Sequence, residues 1–130
     1  MTSFLDSNII IYAFTRSPNN KQCRELLLNR EGLIANTLVL LESYAKLSTI
    51  TDQLHATKVI RHLLGLGNLK ILGLDNNLFF EAIKRNKRYQ LRISDLIHHT
   101  TALLSNCTEI ISYDKDFDNL EISRIEPHPI

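Results

Sequence analysis

Short apolar runs that end at polar residues alternate along this chain with longer stretches whose apolar positions recur every three or four residues. The first pattern fits buried strands, and the second fits helices with one face against a core. Ser3–Leu5 reads as a brief strand with Asp6 at its carboxyl end, and Ser7 or Asn8 supplies a side-chain oxygen to cap the next helix. Arg16–Asn20 reads as a loop, and Lys21–Arg30 as a helix burying Leu26 and Leu27. Gly32–Asn36 is a second short strand. Asn36 or Thr37 then caps a helix that runs to about Ile50, with Leu38, Leu41, Ala45 and Ser48 on one face and Leu40, Tyr44 and Leu47 flanking it.

Asp52 caps a further helix in which Ala56, Val59, Ile60, Leu63 and Leu64 follow an amphipathic pattern that Gly65 stops. Leu69–Leu74 is a third strand, and the cap-rich Asp75–Asn77 leads into a helix from about Leu78 to Gln90 that buries Phe79, Ala82 and Ile83. Ile93–Ile97 begins another helix, with Ser94 as cap and Asp95 in its first turn. Thr108–Tyr113 is β-like and ends at Asp114, the polar stretch Asp114–Asn119 turns, and Ile122–Ile125 forms a last strand. Strands alternating with helices imply an α/β three-layer sandwich around a mostly parallel sheet.

Length makes this a single domain spanning residues 1–130, with 44% hydrophobic and 22% charged residues as in ordinary soluble proteins. The net charge of +1 neither demands nor excludes nucleic acid, since a near-neutral protein can concentrate basic charge locally. Cys23 and Cys107 lie far apart and outside any metal-ligand spacing, so reduced, packed thiols and a reducing compartment are expected. Asp6 interrupts the first apolar run and no basic leader precedes it, which speaks against a signal peptide. No run approaches the roughly 20 apolar residues of a membrane span, so a cytoplasmic protein is expected.

Candidate chemistry comes from carboxylates. Asp6 and Asp114 end strands, while Glu42 and Asp95 lie near the starts of helices. If the strands are parallel, all four gather at one end of the sheet, the edge where open α/β folds bind ligands. Each acid alone is a cap or a turn residue; taken together, four at corresponding junctions favour a metal site. Crowded carboxylates raise one another's pKa unless a cation compensates, and Mg²⁺ or Mn²⁺ suits an all-oxygen set. Two such ions can clamp a phosphodiester for hydrolysis. No zinc-type His/Cys spacing, phosphate-binding loop or dinucleotide fingerprint competes.

The same residues carry a family likeness. Leu5-Asp6-Ser7-Asn8-Ile9-Ile10 resembles the opening motif of PIN-domain nucleases, Glu42 within Leu41–Tyr44 their second acid, Ser94–Ile97 with Thr101–Leu103 the third motif, and Ser112–Phe117 the closing (S/T)xDxDF signature. The likeness runs from about Thr2 to Pro127 and is nearest to VapC-like toxins of toxin–antitoxin pairs. It implies a parallel sheet with flanking helices, a Mg²⁺- or Mn²⁺-dependent endoribonuclease acting on RNA, a homodimer, and a small antitoxin as partner. It assigns Asp6, Glu42, Asp95 and Asp114 to the metals, with Asn8 and Ser112 as supporting polar residues and Asp116 as an auxiliary acid.

His98 and His99 depart from the family pattern, which has small residues after the third acid. They stand at i+3 and i+4 from Asp95 and are open to a metal or proton-transfer role, but a hydrogen-bonded pair at a helix surface or dimer interface is the expectation. Lys84, Arg85, Lys87, Arg88 and Arg92 put five of the fifteen Lys and Arg residues within nine positions. On a helix Lys84, Arg85, Arg88 and Arg92 form a stripe along which RNA phosphates would ride, although such runs are usually solvated faces. Two alternatives remain. A non-catalytic RNA- or protein-binding module has no need of crowded acids, and a receiver-like signalling domain lacks its late Lys here.

Overall fold

The computed structural model describes residues 1–129. Five strands, β1 (Ser3–Leu5), β2 (Leu33–Asn36), β3 (Leu69–Leu72), β4 (Glu109–Ile111) and β5 (Ser123–Ile125), form one sheet in the order β3-β2-β1-β4-β5. Every pairing is parallel, so the sheet is wholly rather than mostly parallel. Helices α1 (Ser7–Ala13), α2 (Asn20–Asn29), α3 (Thr37–Ile50), α4 (Gln53–Leu64), α5 (Asn76–Lys84) and α6 (Ile93–Leu104) connect the strands. The chain moves outward from β1 to β3 on one side and returns to β4 and β5 on the other. Strand order therefore reverses between β1 and β4, the position at which such sheets open a crevice beyond their carboxyl ends.

The core explains why the strands are short yet secure. Phe4, Leu5, Leu33, Ala35, Ile110 and Ile111 are almost wholly buried, because helices cover both faces of the three central strands. Gly32 enters β2 with φ of +71°, and a Cβ there would meet the Met1 carbonyl oxygen at 2.5 Å. Asn36, Asp52 and Asp75 cap α3, α4 and α5 by accepting a backbone N–H, in keeping with the pattern of polar residues before each helix. Both cysteines are free and buried. Among the described residues no helix is long and apolar enough to cross a membrane.

Several expectations need correction. Asp6 itself caps α1, accepting from the Ser7 amide, so neither Ser7 nor Asn8 is the cap. The inward stripe of α3 is Val39, Ser43 and Leu47, while Leu41 is largely exposed. That helix is apolar nearly all round, so periodicity alone does not choose its inner face. In α5, Leu78 and Ala82 are buried whereas Phe79 and Ile83 are exposed. Ser94 is not the cap of α6, which starts one residue earlier and follows an Arg92 that makes no side-chain cap bond.

The largest departure is the basic stretch. Helix α5 stops at Lys84, and residues 85–92 run through turns and extended chain, so Lys84, Arg85, Arg88 and Arg92 form no helical stripe. Like charges one turn apart oppose helix there, and Tyr89 and Leu91 leave the helical path to pack against Ala82, Leu96 and Ile97. Lys84 and Arg85 instead pair with Glu81, and Arg88 lies 3.8 Å from Glu121. Arg92 stays exposed beside the start of α6.

Candidate active site

Two strands flank the reversal point, and each hands a carboxylate to it. Asp6 follows β1 and is 5% exposed. Its Oδ1 accepts the Ser7 amide at 2.7 Å, and its Oδ2 accepts the Ser112 hydroxyl at 2.6 Å and the Asn8 amide at 3.3 Å. Ser112, just beyond β4, also receives N–H bonds from Asn8 at 3.1 Å and from the Asp114 backbone at 2.9 Å. The Tyr113 amide donates to Asn8 Oδ1 at 3.3 Å. Asn8 and Ser112 thus stitch the ends of β1 and β4 together through the Asp6 carboxylate.

Glu42 enters from α3 and Asp95 from the first turn of α6. Strand β4 stops at Ile111, short of the expected Tyr113, and Asp114 stands three residues beyond it, capping the single turn Lys115–Phe117 with its Oδ1 accepting the Asp116 amide at 2.9 Å. Asp6 and Glu42, with His98, offer ligand atoms within 4.8 Å of one another, and Asp95, Asp114 and Asp116 do the same. All four expected acids and the auxiliary one therefore fall into two adjoining groups. Among the described residues no Lys or Arg makes an ion pair with Asp6, Glu42, Asp95 or Asp114. The basic residues 84–92 are not part of this cluster.

Electrostatics follows from that crowding. Burial raises the pKa of Asp6, opposed by His98 and by the bonds from Ser112 and Ser7, with Glu42 adding to the rise. Asp95 is pushed up to about 6, first by burial and then by the charges of Asp114 and Asp6. A pair of carboxylates reluctant to ionise, with no Lys or Arg paired to them, is the environment a divalent cation reverses. The donor set, carboxylate oxygens with one imidazole nearby, suits Mg²⁺ or Mn²⁺.

His98 overturns the expectation of a surface pair. Both His98 and His99 are 0% exposed, and successive helix positions turn them to different neighbours. His98 faces the acids, with Nε2 2.7 Å from Glu42 Oε1 and 4.0 Å from Asp6 Oδ1. His99 packs edge-on against Tyr89, and its Nε2 lies 2.9 Å from Glu121 Oε1 but off the direction an N–H bond requires. Burial lowers the pKa of His99. Tyr89 donates its hydroxyl to Glu121, so this second group ties the 85–92 segment to the chain before β5. The residue that sequence reasoning missed is Asn36, read only as a cap, whose amide also reaches His98 and Thr101 of α6.

The model of the PIN domain family matches residues 3–122. This chain belongs to the PIN-domain family. No curated protein matches the sequence. The fold is shared with the Mycobacterium tuberculosis VapC20 toxin, described as sarcin–ricin loop cleaving, at a TM-score of 0.77 and 13% identity over 94% of this chain and 99% of that one. It also matches a toxin–antitoxin complex from Klebsiella pneumoniae (TM-score 0.73, 19% identity, 99% and 100% covered). A third match is VapBC2 from Rickettsia felis bound to a promoter DNA fragment (TM-score 0.73, 16% identity, 97% and 98% covered). At these identities the likeness establishes the PIN fold, five parallel strands with six helices, as found in VapC toxins.

Proposed function

We propose that this PIN domain is a divalent-metal-dependent endoribonuclease, the toxin of a toxin–antitoxin pair, acting in the cytoplasm as a homodimer held in check by a small antitoxin. The observation that carries the reading is the convergence of Asp6, Glu42, Asp95 and Asp114 from four separate segments on the strand-reversal point, without a Lys or Arg to neutralise them. A non-catalytic binding scaffold has no use for that repulsion. Toxin–antitoxin complexes among the fold neighbours support the assignment of a partner.

Asp6, Glu42, Asp95 and Asp114 would hold Mg²⁺ or Mn²⁺, which when bound polarises the phosphodiester and acidifies water for in-line attack. The chain's own work is positioning. Asp6 is clamped through both oxygens by Ser7, Ser112 and Asn8, so its carboxylate needs little reorganisation. Asp95 and Asp114 repel each other, and a bound cation would favour the ionised form of Asp95 against that repulsion. Asp116 is exposed and takes an auxiliary part at the rim. Lys84 at the end of α5 and Arg85, Arg88 and Arg92 in the segment before α6 would meet RNA phosphates as separate cations rather than as a helical stripe. Arg88→Ala combined with Arg92→Ala is expected to weaken RNA binding and flatten its salt dependence, whereas an unaltered slope removes both from the substrate path.

The test is to incubate the purified, partner-free protein with total RNA and Mg²⁺ or Mn²⁺ and to sequence the new 5′-phosphate ends. Discrete cleavage, abolished by a chelator and by Asp6→Asn, is expected. Cleavage indifferent to both, or none at any RNA, would instead favour a non-catalytic module on the same fold.

A further inference from the structure

The cap of α3 determines which ring nitrogen of His98 carries the proton. Asn36 precedes that helix, and its Oδ1 accepts the Val39 amide at 2.9 Å. This bond leaves no freedom to exchange the amide's oxygen and nitrogen, because the reversed group would point N–H at N–H. Asn36 Nδ2 therefore faces α6, where it donates to Thr101 Oγ1 at 2.9 Å and meets His98 Nδ1 at 3.2 Å. Thr101 sends its own hydroxyl proton to the Ile97 carbonyl at 2.8 Å, so its oxygen is free to accept. Facing an amide donor, Nδ1 must accept and carries no proton. The proton sits on Nε2, which points at Glu42 Oε1 at 2.7 Å.

Two independent neighbours, an amide donor on one side and a carboxylate on the other, specify the same neutral tautomer. The ring is fully enclosed and leans on Phe4 with centroids 5.4 Å apart, and turning it over would set C–H groups against Asn36 and Glu42 and forfeit both contacts. Geometry by donor type alone groups His98 with Asp6 and Glu42 as ligands. A ligating nitrogen, however, must be unprotonated and free of a hydrogen on the bonding lone pair.

We propose that His98 is a positioning residue: locked as the Nε2–H tautomer by the Asn36 cap, it donates to Glu42 and fixes that carboxylate, and does not itself bind the cation. The proposal rests on the reading of Glu42 as a metal-holding acid. It gives the Asn36–His98–Glu42 chain the outer-shell part that orients a ligand. Glu42 and Asn36 belong to the same segment, so the bond from His98 of α6 closes a loop that begins and ends at α3 and pins the two helices at the site.

Two measurements decide it. The first is a long-range proton–nitrogen correlation spectrum of the ¹⁵N-labelled, metal-free protein, with His98 assigned by its disappearance in His98→Gln. An unprotonated Nδ1 and a protonated Nε2, unchanged when Mg²⁺ is added, are expected. The opposite tautomer, a doubly protonated ring, or loss of the Nε2 proton on adding the ion overturns the proposal. The second is calorimetric titration with Mn²⁺. His98→Gln, which keeps a donor near the position of Nε2, should stay close to wild type, while His98→Ala should lose about tenfold or more in affinity. Equal, large losses in both variants would make His98 a ligand. If His98→Ala fails to fold, the spectrum still decides. Wild-type protein that binds no Mn²⁺ at all would overturn the nuclease reading, and the tautomer would be read separately.

Discussion

The two halves of the acidic site are built on opposite principles. Around Asp6 and Glu42 the carboxylates are held by short bonds from Ser7, Ser112 and His98. Around Asp95, Asp114 and Asp116 they stand more open, and among the described residues the only side-chain acceptance there is Asp114 capping its own turn. Bonds to the ionised form favour charge at Asp6 and oppose the cost of burying it, whereas Asp95 has burial and neighbouring charge acting in the same unfavourable direction. The inner half is preorganised and the outer half is stored repulsion. A cation bound there would gain geometry from the first and relieve the second.

That contrast can be broken or sharpened. Asp6→Asn should have the largest effect, because an amide at this position puts a donor against Ser112 or Ser7 as well as removing a charge. Mn²⁺ binding should fall below calorimetric detection; retention within tenfold of wild type would mean the inner half is not where the ion sits.

Asp95→Asn should separate stability from binding. Asp95 keeps its proton to about pH 6 in the folded protein and to about the ordinary 3.8 when unfolded. Between those values the native state binds more protons, so the metal-free protein loses stability as pH rises through that window. The variant escapes that loss. Its thermal midpoint should exceed wild type at pH 7 and converge on it towards pH 4, even as Mn²⁺ affinity drops. A variant less stable than wild type at pH 7 would show that Asp95 is held by favourable contacts.

Ser112→Ala removes the shortest bond to Asp6 and the acceptor for the Asp114 amide. A loss of about 10-fold in Mn²⁺ affinity is expected, with a destabilisation of about 1–3 kcal/mol by chemical denaturation for the unsatisfied partners. If affinity holds, the clamp on Asp6 matters for folding alone. Smallest should be Asp116→Ala, since this side chain is exposed at the rim. Little change in Mn²⁺ affinity is expected by calorimetry, and a loss as large as that of Ser112→Ala would move Asp116 into the ligand set.

Much of this protein was legible in its sequence because the signals are local. A cap acts over three residues and an amphipathic stripe over two turns. Asn36, Asp52 and Asp75 therefore announced α3, α4 and α5, and the strand-then-acid junctions placed Asp6 and Asp114 at one edge once the sheet proved parallel. What the sequence left open was decided by contacts between distant segments. Helix α3 is apolar on most sides, so only its neighbours selected Val39, Ser43 and Leu47 as the inner face. The run of cations after Lys84 resembles a helical stripe until Tyr89 and Leu91 are drawn against α6. His98 and His99 are adjacent and alike in sequence, and one helical step sends them to opposite partners. Even the proton on His98 is a tertiary property, set by an amide 62 positions away whose orientation is fixed by a helix cap. Bond direction and burial depend on what the folded chain brings alongside, and no local pattern carries that.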